Sequence, residues 1–130
     1  MELYEIFLIL GIHWIADFVA QTETQAHRKS DSWWYLLGHT VAYSCIWLFA
    51  IIFLMGIKMD FMPGNHYLYG FPFALVTFLA HTITDYITSR EVKKLFDKED
   101  YHNGFVIIGI DQFLHYVQLF LTYKWVTGWL

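Results

Sequence analysis

Cysteine and charged residues are both scarce in this chain, and their scarcity excludes several classes of protein. The single cysteine, Cys45, allows neither an intrachain disulfide nor a cysteine-rich zinc site. Charged residues make up 15% of the sequence, against about 25% in ordinary soluble domains. The net charge of -4 comes without a basic patch, so the chain lacks the electrostatic signature of a nucleic-acid-binding protein. Apolar and aromatic residues are in excess instead, at 57% and 21%.

Four long apolar segments account for most of the sequence, near residues 3–21, 33–57, 68–88 and 105–125. Each approaches or exceeds the roughly 20 residues that a helix needs to cross a bilayer. No regular alternation of polar and apolar residues, as expected for barrel strands, competes with this interpretation. The sequence therefore predicts an all-α fold. Residues 1–130 are expected to form one transmembrane domain, a polytopic bundle of four membrane-spanning helices.

The basic residues predict how this bundle is oriented. Two loops, 22–32 and 89–104, contain six of the eight, namely Arg28, Lys29, Arg90, Lys93, Lys94 and Lys98. By the positive-inside rule these loops face the cytoplasm, and both termini lie outside. Residues 90–101 also place apolar side chains on one face and lysines on the other, which predicts a short helix at the membrane interface.

Three aspartates lie inside the apolar segments, each with a histidine four residues away. The pairs are His13 with Asp17, His81 with Asp85, and Asp111 with His115. Placing a carboxylate in hydrocarbon is costly, so an ionisable residue inside a membrane segment indicates a functional site. No lysine or arginine lies beside these aspartates in the segments. We therefore expect protons or metal ions to supply the missing positive charge.

The depth of these residues predicts a single cluster. Residues i and i+4 share one face of a helix. At 1.5 Å per residue, the three pairs and His39 of the second segment all lie roughly 5–15 Å from the cytoplasmic boundary. The predicted cluster, in the cytoplasmic half of the bundle, comprises His13, Asp17, His39, His81, Asp85, Asp111 and His115.

All seven residues are candidate metal ligands. Nitrogen and carboxylate donors without sulfur disfavour copper(I), and we expect a divalent ion, zinc first, with manganese or iron as alternatives. One or two ions fit, because dinuclear sites in bundle cores take ligands from facing helices at these spacings. Four further residues are expected to orient the ligands through hydrogen bonds: Gln21, Tyr35, Tyr43 and Gln112.

A weak internal repeat relates residues 12–21 to residues 80–89. The histidine, isoleucine and aspartate positions match, and an aromatic residue follows each aspartate. Each unit precedes a basic loop and then a segment with a histidine near its start, His39 or His115. This pattern fits two parallel helical hairpins related by an axis along the membrane normal. Chance similarity between two apolar helices fits the match equally well.

The ordered motifs also carry a resemblance. They are His13-x3-Asp17-Phe18-x2-Gln21, then Lys29 and His39, His81-x3-Asp85-Tyr86, and Asp111-Gln112-x2-His115. Over nearly the whole chain, this set resembles a family of small bacterial and phage membrane proteins that bears only a domain-of-unknown-function label. The resemblance implies a multi-pass protein of the bacterial inner membrane and supplies no activity. A looser similarity, in size and His/Asp content, is to bacterial membrane-bound metal-dependent hydrolases, but their motifs differ.

Three functions fit these observations. The first is a membrane-embedded, metal-dependent hydrolase acting on a lipid-linked, phosphate-bearing or membrane-adjacent substrate. The second is a transporter or channel subunit for metal ions or protons, for which four helices would need to form a homo-oligomer. The third is a non-enzymatic membrane protein whose metal ion only holds the bundle together.

We favour the hydrolase because the cluster faces one aqueous side and basic loops lie above it. Its expected catalytic residues are Asp17, His39, Asp85 and Asp111. An anionic substrate is expected to bind near four basic side chains at the mouth of the site, Arg28, Lys29, Lys93 and Lys94.

Overall fold

The described residues fold almost entirely into helices. The computed structural model describes residues 2–58 and 66–128, and this part of the chain contains no strand. The helices are α1 (Leu3–Trp14), α2 (Glu23–Arg28), α3 (Trp33–Lys58), α4 (His66–Phe96) and α5 (Tyr101–Thr127), and a π-helical turn (Ile15–Val19) continues α1. The all-α prediction is confirmed.

The four long helices pack as a bundle. Helix α3 packs against α4, and α4 packs against α5. Helix α1 packs against α5, and the π-helical turn contacts α3, which closes the bundle. Neighbouring helices run antiparallel: Glu5 meets Tyr123 at one end of the α1–α5 pair, and Asp17 meets Gln112 towards the other.

Large apolar side chains fill the half of the interior that lies towards the chain termini. The fully buried ones include Ile9, Trp47, Ile51, Met55, Phe73 and Leu119. Each such side chain contributes about 1.5–3 kcal/mol when it is removed from water. The other half of the interior, near the α1–α3 and α4–α5 connections, is polar and holds the site described below.

The outer surface of the bundle is rich in exposed apolar side chains. Phe49 is 71% exposed, Leu121 is 64% exposed and Phe7 is 63% exposed. By length and composition, two of the described helices could cross a membrane, over Trp33–Ile57 and Tyr101–Thr127. Helix α1 has 12 residues, fewer than the roughly 20 that a span needs.

Two predicted boundaries differ from the structure. The separate interfacial helix expected over residues 90–101 is wrong, because α4 continues without a break to Phe96. Hydropathy falls after Thr88, but the charged residues that follow are good helix formers, so the helix does not end where the apolar segment ends. The second difference is the start of the last helix, which was predicted near residue 105. Helix α5 begins earlier, at Tyr101, where the side chain of Asp100 accepts a hydrogen bond from the backbone N–H of Asn103 at 3.3 Å.

The loop 22–32 contains a short helix that was not expected. Thr22 caps α2 by accepting a hydrogen bond from the backbone N–H of Gln25 at 3.2 Å, and the Gln25 side chain accepts from the backbone of Thr22 at 3.0 Å. This reciprocal cap is a common signal for the start of a helix. It fixes the loop across the polar half of the bundle and places Lys29 at the end of α2.

Candidate metal centre

The structure brings all seven predicted histidines and aspartates into one buried cluster. They come from α1, the π-helical turn, α3, α4 and α5, and each is at most 9% exposed. The residues are His13, Asp17, His39, His81, Asp85, Asp111 and His115.

Four side chains at the centre of the cluster direct one atom each towards a common point. The Nε2 atom of His39 lies 3.1 Å from Asp17 Oδ1, 3.1 Å from His81 Nε2 and 3.4 Å from Asp85 Oδ2. The Nε2 atom of His81 is 3.6 Å from the same oxygen of Asp17 and 3.8 Å from that of Asp85. A tetrahedral ion with ligands at 2.0–2.2 Å separates those ligands by roughly 3.3–3.6 Å. These four residues could hold a metal ion, as could the overlapping group Asp17, Asp111 and His115.

Asp17 lies in the middle of the π-helical turn. The backbone N–H of Ala20 donates to the carbonyl of Ile15 at 2.9 Å, five residues back rather than four. Such turns are rare and often mark functional sites. Gln21, four residues after Asp17, does not share a helical face with His13 and Asp17, because the helix ends before Gln21.

Lys29 reaches the cluster from the loop after α2. Its Nζ atom lies 2.7 Å from Asp85 Oδ2, and its side chain is only 18% exposed. Burial lowers the pKa of this ammonium, but the carboxylates of Asp85 and Asp17 act against burial, and the net pKa is raised above 10.5. The expectation that no basic side chain compensates the aspartates is therefore wrong. It considered only residues within the apolar segments, whereas a lysine extends its ammonium well beyond its own backbone position.

His13 lies beside the four central residues and is not aimed at their common point. Its Nδ1 atom is 2.7 Å from the Tyr43 hydroxyl, and its Nε2 atom is 2.9 Å from Gln112 Oε1. Since the amide oxygen accepts, Nε2 carries the proton and Nδ1 accepts from the hydroxyl. Both ring nitrogens of His13 are thus engaged, and the structure leaves no lone pair free for a metal ion.

Two of the four expected orienting residues hold the cluster in place. The Gln112 amide donates to Asp17 Oδ2 at 3.0 Å and to Asp111 Oδ2 at 3.1 Å. The ring of Tyr43 stacks on that of His81, with centroids 3.8 Å apart and an angle of 6° between the planes. Both contacts restrict the rotation of side chains that carry candidate ligand atoms.

The other two expected orienting residues, Tyr35 and Gln21, lie outside these contacts. The Tyr35 hydroxyl is 3.5 Å from the guanidinium of Arg28, which also lies over the Tyr35 ring. The expected orienting role of Tyr35 thus gives way to a contact at the end of the bundle. Gln21 lies next to the cluster in a cavity described below, with Asp17 in the same wall.

Asp111 and His115 form the side of the cluster nearest the start of α5. The Nε2 atom of His115 is 3.3 Å from Asp111 Oδ2 and 3.2 Å from Asp85 Oδ1. The other oxygen of Asp111 accepts from the Thr88 hydroxyl at 2.5 Å. Asp111 is thus held at both oxygens, and His115 links it to Asp85.

A cavity of about 470 Å³ adjoins the cluster beneath the loop 22–32. Asp17, Asp111 and Gln112 form its polar floor, and Lys29 and Lys93 also line it. Arg28 and Lys94 lie outside the lining: Arg28 packs on Tyr35, and Lys94 pairs with Glu91 at 2.5 Å. Of the four basic residues expected at the mouth, two are placed to meet a bound molecule.

A fourth buried carboxylate, Glu5, lies at the other end of the bundle from the cluster and was not singled out from the sequence. It is 2% exposed. Its Oε1 atom accepts from the Tyr123 hydroxyl at 2.6 Å, and its Oε2 atom accepts from the backbone N–H of Glu2 at 2.6 Å. The sequence signal that could have identified Glu5 is its acidic side chain near the start of the apolar segment 3–21.

The chain belongs to the family described as protein of unknown function (DUF3307), whose profile matches residues 6–129. The match includes every residue of the cluster. No curated protein and no solved structure matches the chain. The family description agrees with the resemblance to a family of unknown function, and it assigns no chemistry to the site.

Proposed function

We propose that this protein is a membrane-embedded, metal-dependent hydrolase that binds one divalent ion through Asp17, His39 and His81. The observation that carries the proposal is the convergence of imidazole nitrogens and carboxylate oxygens at nearly tetrahedral spacing. This buried group lies beside a cavity large enough for a small substrate. Zinc is the expected ion, with manganese or iron as alternatives.

The distribution of polarity supports a position in the membrane. The charged residues of the cluster are buried, while large apolar side chains such as Phe49 and Leu121 are exposed. A soluble monomer rarely exposes large contiguous apolar patches. Helices α3 and α5 meet the length and hydropathy of a span, α4 is longer than either, and α1 extended by its π-helical turn covers residues 3–19. We propose four spans in the bacterial inner membrane, with both basic loops in the cytoplasm.

The charges in the cluster favour one ion over two. Asp17, Asp85 and Asp111 supply three negative charges, and Lys29 supplies one positive charge. Histidines that bind a metal ion are neutral, and with His13 and His115 neutral as well the group carries a net charge of -2, which one divalent ion would neutralise. A second divalent ion would leave an equal excess of positive charge in a desolvated site, where an uncompensated charge is strongly disfavoured.

The contact of Lys29 with Asp85 favours a metal site with a free coordination position over a site filled by four protein ligands. The Lys29 ammonium holds Asp85 Oδ2, the fourth atom of the near-tetrahedral group. While that oxygen is engaged, only Asp17, His39 and His81 would hold the ion, and water or substrate could bind in place of Asp85. Catalytic zinc sites keep such a position for water or substrate, whereas structural sites fill all four with protein ligands. This contact therefore favours hydrolysis over a purely structural ion.

The remaining residues fit a role in proton transfer. A bound divalent ion supplies a Lewis acid that polarises a phosphoryl or acyl oxygen and activates water. Asp111 lies on the cavity floor, where its carboxylate can accept a proton from that water. Thr88 and Gln112 hold Asp111 in place, and His115 joins it to Asp85.

Elemental analysis of the detergent-purified protein tests the metal. We expect about one equivalent of zinc, manganese or iron in the wild type and loss of that equivalent in His39→Ala. The matched control is His102→Ala, which removes an exposed histidine of α5 far from the central group. If the wild type holds no metal after purification without chelators and after incubation with each ion, the proposal is wrong. Circular dichroism of each variant separates loss of the ion from loss of the fold.

A second function, ion or proton transport by an oligomer, is favoured by polar groups at the other end of the bundle. There Glu5 pairs with Tyr123, and the Gln118 amide donates to Thr77 at 3.1 Å and to Thr122 at 3.0 Å. Buried acidic residues in membrane helices mark ion pathways. Proteoliposomes that take up zinc or protons, with uptake lost in Glu5→Gln, would favour the transporter. Uptake equal to that of empty liposomes would contradict the transport function.

A further inference from the structure

We infer that the cavity beside the cluster binds the terminal phosphate of a membrane lipid, with Gln21 and Ser89 as hydrogen-bond donors to it. This inference rests on the proposed function, because it names the substrate class of the same site. The substrate is a lipid phosphomonoester that enters from the cytoplasmic side of the bilayer.

Two residues that line the cavity, Gln21 and Ser89, each carry a hydrogen-bond donor that has no partner among the described residues. The donor atoms, Gln21 Nε2 and Ser89 Oγ, are both buried. A buried donor without a partner is strongly disfavoured, so such groups in a binding cavity indicate a missing acceptor. The amide nitrogen of Gln21 can only donate. A ligand that satisfied both donors would present at least two acceptor oxygens to them, as a phosphate group does.

The internal repeat relates these two donors. Gln21 follows Asp17 by four residues, as Ser89 follows Asp85, and the repeat aligns one pair with the other. In the structure, both residues line the same cavity, although Gln21 follows the π-helical turn and Ser89 belongs to α4. The two aligned motifs thus each contribute an aspartate to the cluster and a donor to the cavity.

Positive charge is available at the same cavity. Lys93 pairs with Asp31 at 2.6 Å, and their side chains are 45% and 50% exposed. An ion pair this exposed is weak, so Lys93 can exchange Asp31 for a phosphate oxygen at little cost. The carboxylates of Asp17 and Asp111 on the floor would repel a phosphate unless a divalent ion lay between them. Phosphate binding is therefore expected to require the ion.

The two kinds of lining in the cavity fit a terminal phosphate on a lipid. Asp17, Asp111 and Gln112 form the polar part of the lining, where a phosphomonoester would present its three free oxygens to a bound ion and to the two donors. Another part of the lining is apolar, with Phe18, Val92, Phe96 and Ile108. Phe18 is 50% exposed on the outer surface of the bundle. An acyl chain would cover these side chains, whereas inorganic phosphate would leave them in contact with water.

The expected reaction is hydrolysis of the monoester. The oxygen of water bonds to phosphorus as the bond from phosphorus to the lipid oxygen breaks. One proton of the water passes to the departing lipid oxygen, by way of Asp111, and the other stays on the phosphate. The products are the lipid alcohol and inorganic phosphate.

Binding to zinc-loaded protein in nanodiscs tests the inference. The probes are dioctanoyl phosphatidic acid, dioctanoyl phosphatidylcholine and inorganic phosphate, and the zinc content of each sample is measured alongside. We expect phosphatidic acid to bind more tightly than either other probe. Gln21→Leu and Ser89→Ala should each weaken its binding by about tenfold, since each removes a hydrogen bond to a charged group. Lys93→Ala should also weaken it.

Matched controls and the zinc measurement separate the outcomes. Ser32→Ala and Lys94→Ala change residues outside the cavity lining and should bind as the wild type does. Equal binding of phosphatidylcholine would overturn the choice of a monoester, and equal binding of inorganic phosphate would overturn the lipid. Unchanged binding in Gln21→Leu and Ser89→Ala would overturn their assignment. If the wild type binds zinc but no lipid, only the inference of a lipid phosphate is overturned. If the wild type holds no zinc, the proposed metal-dependent hydrolase is overturned as well.

Discussion

The Nζ atom of Lys29 lies 2.7 Å from Oδ2 of Asp85, an oxygen that also lies 3.4 Å from Nε2 of His39. A loop lysine thus shares one carboxylate oxygen with the central group of candidate metal ligands. While the ammonium holds that oxygen, the group offers an ion three ligands, and without it the group offers four.

Replacing Lys29 with methionine should therefore tighten metal binding and abolish turnover. The variant frees Asp85 to become a fourth ligand, and it removes a positive charge close to the ion. We expect zinc to bind at least tenfold more tightly in a competition titration with a chromophoric chelator. Lys98→Met, an exposed lysine in the turn before α5, is the control. Unchanged or weaker zinc binding would show that Lys29 does not compete with the ion.

Asp111→Asn should separate catalysis from metal binding. Asp111 lies outside the three proposed ligands, so the variant is expected to keep its equivalent of zinc. Its amide cannot accept the proton of water, and kcat for phosphatidic acid should fall by about 10²–10⁴-fold. Asp97→Asn, at an exposed position, is the control. Loss of zinc in Asp111→Asn would instead place Asp111 among the ligands, as the overlapping group with Asp17 and His115 allows.

Tyr43→Phe should destabilise the bundle without changing zinc affinity. The change leaves Nδ1 of His13 buried without its 2.7 Å partner, at an expected cost of about 1–3 kcal/mol. The phenylalanine ring keeps the stacking on His81. Tyr43→Ala removes both contacts and opens a cavity, so it should destabilise by about 3–5 kcal/mol. Denaturant unfolding in detergent measures both variants, and an equal effect of the two would contradict a separate role for the hydroxyl.

The cap of α5 should make stability depend on acidic pH. Hydrogen bonds from the Asn103 side chain and backbone lower the pKa of Asp100 below its usual 3.8. A carboxylate with a lowered pKa in the folded state stabilises the protein above its unfolded pKa, and this stabilisation is lost as the pH falls through the folded pKa. Asp100→Asn keeps a capping group that does not titrate. Its Tm should fall less than that of the wild type between pH 5 and pH 3, and parallel curves would contradict the cap.

The proposed orientation can be tested with single cysteines. In a Cys45→Ser background, Asp97→Cys lies in the turn between α4 and α5, on the proposed cytoplasmic side. A membrane-impermeant maleimide should label it in spheroplasts only after permeabilisation. Glu2→Cys, before α1, should be labelled without permeabilisation. The reverse pattern would invert the topology, and labelling of both in intact spheroplasts would contradict four spans.

The positions of the cluster residues followed from the sequence because helices have a fixed period and rise. The spacing of four residues in each His–Asp pair places both side chains on one face. Their distance from the ends of the apolar segments places them at one depth. In a bundle of four antiparallel helices, side chains at one depth on the inward faces lie close together. This is what is found for His39, His81, Asp85 and Asp111.

The contacts of residues near helix ends were not predicted. The π-helical turn at Asp17 has no signature in the composition, and the helix ends after it, so that Gln21 does not share a face with Asp17. Tyr35 has the right spacing from His39 but lies close enough to the end of α3 to pack against Arg28. Neither outcome could be read from periodicity, since each depends on which neighbouring segment lies opposite.

Hydropathy and helix geometry were enough to establish that the protein is helical, which helix faces carry histidine and aspartate, and that those residues lie at one depth. These properties are local, because they depend only on hydropathy and on helix geometry. Tertiary structure decided that Lys29 bonds Asp85, that Gln112 and Tyr43 occupy both nitrogens of His13, and that a cavity opens beneath the loop 22–32. Long side chains and loops reach partners far away in the chain, and the packing of the helices decides which partner is within a hydrogen bond's length.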